Sequence, residues 1–277
     1  MRFEKWQALG NDYLILEQEE LTFELTPARV RRLCDGHFGV FADGVLLLSR
    51  AEDPRFVARL RIYNPDGSEA ELSGNGAREA ILYLRRRGWT SEDVFSVQTA
   101  AGEIRPTITG PDTCRVDMGH AGLASRDYPS GRVDGIGELE AAGRKWRFQH
   151  VSIGNPQCAI AVADLAELQA LDLALIGPQI EGHELFPNRT NVSWYTEIEP
   201  KRIRARIFER GVGETLSSGT GATGAAVAYL LLGDEYAQGP GLGSNGDEPA
   251  EAGQRVSVEL DGGELEVEVG EGLHINL

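Results

Sequence analysis

The hydrophobic pattern of the chain predicts short strands broken by dense turns, with a few helices between them. Phe3 to Trp6 reads as a first strand, followed by Gly10-Asn11-Asp12 and an apolar run, Tyr13 to Leu16. Thr26-Pro27 opens a helix through Leu33, with threonine at the N-cap and proline at the first helical position. Asp43-Gly44 is a turn into the apolar strand Val45 to Leu48, and Phe56 to Tyr63 alternates apolar and basic residues as a half-buried strand does. The turn Asn64-Pro65-Asp66-Gly67-Ser68 is followed by Ser73 to Gly76 and a helix to about Arg87, closed by Gly88. Strands are expected around Val94 to Thr99 and Arg115 to Met118. Ala121 to Gly143, rich in Gly, Asp and Ser, reads as a loop or crossover.

The scheme then recurs. A strand leads to Gly154-Asn155, a helix lies around Leu165 to Leu171, and a strand spans Arg202 to Phe208. A second helix begins after Gly219 and runs to about Leu232. Gly233 to Gly253 reads as a mobile surface loop, and Val256 to Leu260 with Glu264 to Val269 forms a hairpin about Asp261-Gly262-Gly263. The recurrence extends to single residues. Shifted by 145, Arg59-Leu60-Arg61-Ile62-Tyr63 returns as Arg204-Ala205-Arg206-Ile207-Phe208, and Ser73-Gly74-Asn75-Gly76-Ala77 as Ser218-Gly219-Thr220-Gly221-Ala222. Shifted by 144, Gly10-Asn11 returns as Gly154-Asn155. A solenoid repeats every 20 to 50 residues or so. Here a whole domain is repeated once, and the halves are expected at 1–120 and 146–277, joined by a crossover at 121–145.

Composition narrows the function classes. The 277 residues are 41% hydrophobic and 25% charged, which is ordinary for a globular protein with substantial cores. A net charge of −16 and the lack of a basic patch argue against a nucleic-acid partner. No apolar run approaches the roughly 20 residues needed to span a bilayer, no signal-peptide core is visible, and the cytoplasm is the expected compartment. Cys34, Cys114 and Cys158 are widely spaced without metal-ligand rhythm, and an odd count fits a reducing compartment. The five histidines likewise match no metal spacing, and Arg85-Arg86-Arg87 reads as a solvated helix end.

The chemistry is expected at the two Ser-Gly-x-Gly turns. A helix N-terminus presents backbone N–H groups and the positive end of the helix dipole, which suit a carboxylate or phosphate. A serine that only caps its helix would account for one such turn; two at matching places in a repeat point to a site. There is no Walker lysine, and neither motif completes the dinucleotide fingerprint.

With Gly10-Asn11-Asp12, Asn64-Pro65-Asp66-Gly67-Ser68-Glu69-Ala70-Glu71, Gly74-Asn75-Gly76-Ala77-Arg78, Gly154-Asn155-Pro156, Asn191-Val192 and Glu209-Arg210-Gly211-Val212-Gly213-Glu214-Thr215, the sequence resembles the diaminopimelate epimerase family over nearly its whole length. The resemblance implies an α/β (α+β) fold of two pseudo-symmetric domains. Each is a curved, mostly antiparallel sheet wrapped around a central helix, with the active site between them and the C-terminal segment a candidate to complete the first sheet. It implies PLP-independent interconversion of LL- and meso-diaminopimelate with no cofactor or metal, a small-molecule amino-acid substrate, a homodimer, and a place in lysine and peptidoglycan-precursor synthesis. It also implies that Gly74, Asn75, Gly219 and Thr220 hold the reacting carboxylate. Asn11, Asn64, Asn155, Asn191, Glu209 and Arg210 would bind the rest of the substrate.

The chain departs from the family where chemistry is concentrated. A catalytic cysteine precedes each Gly-x-Gly in the family; Ser73 and Ser218 stand there in this chain, and Gln157 stands where the family has histidine after Asn-Pro. A thiol titrates near 8.5 and drops further at a helix N-terminus, whereas an alcohol is a far weaker acid. Ser73 and Ser218, working through water or with Glu209, are the expected acid and base, with Gln157 behind them. A same-fold dehydratase or double-bond isomerase, or a non-catalytic paralogue binding a dicarboxylic amino acid, are the alternatives consistent with those replacements.

Overall fold

The computed structural model describes residues 2–70, 73–236 and 253–277, in two compact units that divide at Asp117–Met118. In the first unit the strands are β1 (Glu4–Ala8), β2 (Asn11–Glu17), β3 (Gly44–Ser49), β4 (Ala58–Tyr63), β5 (Glu69–Ala70), β6 (Val97–Thr99) and β7 (Gly102–Ile104). They form one sheet in the order β1-β2-β3-β4-β6-β7, with β5 paired to β4. Pairs β2/β3 and β4/β6 are parallel and the others antiparallel. Helix α1 (Pro27–Cys34) packs on β3, and α2 (Gly74–Arg86) packs on β1, β2 and β3. Thr26 does sit at the N-cap of α1, but its side chain makes no capping bond, so Pro27 carries the start signal.

The hairpin of β8 (Pro106–Gly110) and β9 (Thr113–His120) follows, and the chain passes from one unit to the other within β9. The second unit contains β10 (Ile136–Ala141), β11 (Arg144–Ser152), β12 (Pro156–Ala161), β13 (Asn191–Glu199), β14 (Arg202–Glu209), β15 (Gly213–Thr215), β16 (Gln254–Leu260), β17 (Gly263–Val269) and β18 (His274–Asn276). Its sheet runs β10-β11-β12-β13-β14-β16-β17-β18, with β15 beside β14. Helices α3 (Leu165–Ala170) and α4 (Leu173–Glu181) pack on β13 and β14, and α5 (Gly219–Tyr236) lies along β11 to β14, β16 and β17. The apolar face that buries α5 comes from small residues: Ala222, Ala225, Ala226, Val227 and Ala228 are fully buried. That allows the helix to lie close against the sheet.

The internal repeat is a repeat of topology. Parallel β2/β3 corresponds to parallel β12/β13, antiparallel β3/β4 to β13/β14, and parallel β4/β6 to β14/β16. Helices α2 and α5 each enter after the short strand, β5 or β15, that pairs back onto β4 or β14. Two expectations are corrected and one helix is added. The segment read as a loop to Gly143 contains strand β10, whose Leu139 and Ala141 are buried in the core with Trp146 and Phe148. Helix α5 continues past Leu232 to Tyr236; the rest of the predicted 233–253 loop, up to 252, lies outside the described residues. The chain also carries α4, which the sequence pattern hid behind Gly177 and Pro178.

Candidate active site

Each unit builds a similar cluster at the start of its central helix. In the first, Ser73 is the N-cap of α2 with extended backbone (φ −129°, ψ 123°), and its Oγ accepts from the Gly76 N–H at 3.1 Å. Asn75, in the first turn of α2, is 3% exposed; its Nδ2 donates to Asn11 Oδ1 at 3.4 Å, and its Oδ1 accepts from Arg78 Nη2 at 2.6 Å. Asn11 begins β2 directly after Gly10, whose φ of 85° suits glycine. The Asn11 amide donates to Asp43 Oδ2 at 2.8 Å, and the same oxygen accepts from the Asp12 N–H at 2.9 Å. Asp43, read from sequence as a turn without chemistry, therefore fixes how Asn11 presents its amide. Tyr13, two residues along β2, donates its phenolic O–H to Ser73 Oγ at 3.2 Å.

The second unit repeats this arrangement. Ser218 Oγ accepts from the Gly221 N–H at 3.2 Å at the start of α5, and Asn155 Nδ2 donates to Thr220 Oγ1 at 3.3 Å. The pair Asn155–Thr220 thus repeats Asn11–Asn75. Gln157 takes the place of Tyr13; its Nε2 donates to Asn155 Oδ1 at 2.7 Å, while its buried Oε1 has no hydrogen-bond partner among the described residues. Gln157 braces Asn155 and does not reach Ser218 by any hydrogen bond among the described residues.

A further group in the second unit gathers around Asn191. Its Oδ1 accepts from the Arg210 backbone N–H at 2.8 Å, and its Nδ2 donates to the Pro156 carbonyl at 3.4 Å. Glu209 ends β14, where Thr215 Oγ1 donates to its Oε1 at 2.9 Å, and the Arg210 side chain reaches out to the Asn188 carbonyl at 3.1 Å. Sequence reasoning missed the support for this turn. Glu181, buried at the end of α4, accepts from the Gly211 N–H at 2.6 Å and pairs with Arg189 at the same distance. Asn64 is bonded within its own turn: its Nδ2 donates to Ser68 Oγ at 2.9 Å, closing the Asn64–Ser68 turn.

None of the three cysteines is set up as a reactive thiol. Burial, reinforced by the Asp43 and Asp12 charges, pushes Cys34 up to about 11, and burial pushes Cys114 to about 11 against the nearby Arg78. Burial raises Cys158 as well. A reactive thiol needs the opposite shift. Near the first cluster, burial also lifts Glu79 to about 9, against a partial offset from Arg78. Among the described residues there is no cluster of His, Cys, Asp and Glu suited to a metal ion, and no helix is long and apolar enough to cross a membrane.

Comparison with known proteins agrees with the repeat and its motifs. Residues 3–124 and 149–274 match the family model of diaminopimelate epimerase. The chain is 40% identical to a diaminopimelate epimerase of Pelotomaculum thermopropionicum, over 99% of this chain and 94% of that protein. It is 38% identical to one of Thermosynechococcus vestitus, over 96% and 91%. Among solved structures, a phenazine biosynthesis protein of the PhzF family from Bacillus anthracis aligns with TM-score 0.62 at 18% identity, covering 99% of this chain and 92% of that one. A probable proline racemase from Agrobacterium radiobacter aligns with TM-score 0.62 at 15% identity, covering 99% and 87%. At that identity the two structures speak for a shared fold. The sequence matches speak for more, and the chain belongs to the diaminopimelate epimerase family.

Proposed function

We propose that this protein is an epimerase that interconverts LL- and meso-diaminopimelate by proton transfer at the α-carbon without pyridoxal phosphate. The observation that carries the reading is 40% identity to a diaminopimelate epimerase over 99% of the chain. The matched pair of serine-capped helices, each with an Asn from a strand start at its first turn, supports it. In this reading the first turns of α2 (Gly74, Asn75) and α5 (Gly219, Thr220) bind the reacting carboxylate, as helix N-termini do. Glu209 and Arg210 take the amino and carboxylate groups of the distal amino-acid head, with Asn11, Asn64, Asn155 and Asn191 completing the binding set and Gln157 bracing Asn155. Ser73 and Ser218 are the acid and base, one from each unit, with Glu209 assisting. The product serves lysine and peptidoglycan precursors, and the protein acts as a cytoplasmic homodimer.

The serine pair makes the chemical step slow compared with a thiol pair, because an alcohol is poorly matched to neutral pH. The test is solvent deuterium exchange at the α-carbon of LL- and meso-diaminopimelate, followed by mass spectrometry. Incorporation accompanied by interconversion is expected. Tight binding without exchange would instead fit the non-catalytic paralogue, and loss of water or migration of a double bond in a related substrate would fit the dehydratase or isomerase reading. Light scattering on the purified protein reads the dimer.

A further inference from the structure

The two clusters share a layout but differ in residues, with Thr220 at the place of Asn75 and Gln157 at the place of Tyr13, and the second difference touches a serine. In the first unit Ser73 Oγ accepts twice, from the Gly76 N–H at 3.1 Å and from the Tyr13 O–H at 3.2 Å. A serine hydroxyl has two acceptor sites and one donor proton. With both acceptor sites engaged, the O–H of Ser73 is the one position left to it for a further bond, as a donor. In the second unit Ser218 Oγ accepts from the Gly221 N–H, and the residue matching Tyr13 is Gln157, whose amide is turned to Asn155. The Tyr13 ring is held firmly. It is 6% exposed, and a Cβ on Gly44 would lie 2.6 Å from its Cε1, so the glycine leaves just the space the ring occupies.

We propose that Tyr13 is a positioning residue for Ser73 that also relays its proton, giving the first unit a Ser–Tyr pair that the second lacks. This rests on the proposed epimerase reading. When Ser73 delivers its proton to the substrate carbanion, the Ser73 O–H bond breaks and a C–H bond forms. The Tyr13 phenolic proton moves to Ser73 Oγ and a phenolate remains. In reverse, Ser73 Oγ takes the α-proton as its own proton passes to the Tyr13 phenolate. Protons and charge balance in both directions, and no serine alkoxide is released. Phenols titrate near 10, far below alcohols, so the relay removes the worst mismatch of a serine acid–base group. The 3.2 Å separation is long for two hydroxyls, and such contacts commonly tighten once substrate is bound.

Tyr13→Phe keeps the ring and removes the one atom at issue. The expected result is a kcat roughly a hundredfold lower with KM within about twofold, since general acid–base groups contribute about 10²–10⁴. Thermal melting and circular dichroism establish that the variant is folded. In a Ser73→Cys background the same change should cost less than about threefold, because a thiol near 8.5 needs no relay. An unchanged kcat in Tyr13→Phe would overturn the relay, as would an equal loss in both backgrounds. If Ser73→Cys is inactive, the split between kcat and KM in the single variant decides. Failure of the parent reading looks different: the wild-type protein itself would exchange no α-hydrogen, and the relay would fall with it.

Discussion

Glu79 gives a prediction whose sign and size follow from its surroundings. It lies on α2, 2% exposed, and neither carboxyl oxygen has a hydrogen-bond partner of normal geometry among the described residues. Burial raises it to about 9; Arg78 opposes the shift, Asp12 and Asp43 add to it, and the Tyr13 backbone N–H offsets it slightly. A carboxyl raised on folding stays protonated in the native state while the unfolded chain ionises near 4.5. Stability should therefore fall as pH rises through that value, by about 1.4 kcal/mol per unit, levelling off above the folded value near 9. At pH 7 the cost is on the order of 3 kcal/mol. Glu79→Gln has nearly the same shape as the neutral acid and cannot ionise. Its melting temperature should exceed that of the wild type by a margin that widens from pH 5 to pH 8. The widening is roughly 3–5 °C per unit for a protein of this size. Other titrating groups are common to both proteins and cancel in the difference. A margin that stays constant across that range would refute the buried neutral acid.

The remaining predictions concern the clusters and their supports. Replacing both Ser73 and Ser218 by cysteine should raise epimerisation by orders of magnitude and create iodoacetamide sensitivity that substrate suppresses; an inert double variant that still binds ligand would show that the surrounding groups no longer support thiol chemistry. Glu181→Ala should destabilise by about 2 kcal/mol and raise KM, because Gly211 N–H and Arg189 lose the carboxylate that holds the turn after Glu209-Arg210; unaltered KM and urea midpoint would remove Glu181 from this role. Gly44→Ala should destabilise by about 1–3 kcal/mol, since its Cβ would lie 2.3 Å from the Tyr63 carbonyl oxygen; a calorimetric melt equal to wild type would show that β3 shifts freely.

Much of this was written locally in the chain. The starts of α2 and α5 were legible because an N-cap serine followed by glycines is a signal confined to a few residues, and the offset repeat made each half corroborate the other. The elements that escaped depend on distant partners. Gly177 and Pro178 argue against a helix by propensity, yet a Cβ at Gly177 would lie 2.4 Å from the Phe208 ring, so glycine is what lets α4 approach β14. Strand β10 alternates correctly but lies in a glycine-rich stretch, and its pairing with β11 is what makes it a strand. In the clusters, Asp43 looked like turn chemistry and Tyr13 like the start of an apolar run. Their partners, Asn11 and Ser73, lie 32 and 60 residues away in sequence. Asn64 had equal claims as a turn residue and as a ligand contact; its amide is engaged in the turn.

The two capping bonds have an evolutionary consequence. An N-cap oxygen that accepts from the third helical N–H stabilises a helix by about 1 kcal/mol relative to a residue that cannot, and sulfur is a weak acceptor. Both α2 and α5 begin with such a bond, at 3.1 and 3.2 Å. A cysteine in either seat forgoes it, so the reactive version of each helix start is also the frailer one. Drift from thiol to hydroxyl is therefore downhill in folding free energy at two places at once, while return is uphill at both. Stability alone therefore favours a hydroxyl over a thiol in both seats, and a gain in turnover would have to offset that loss.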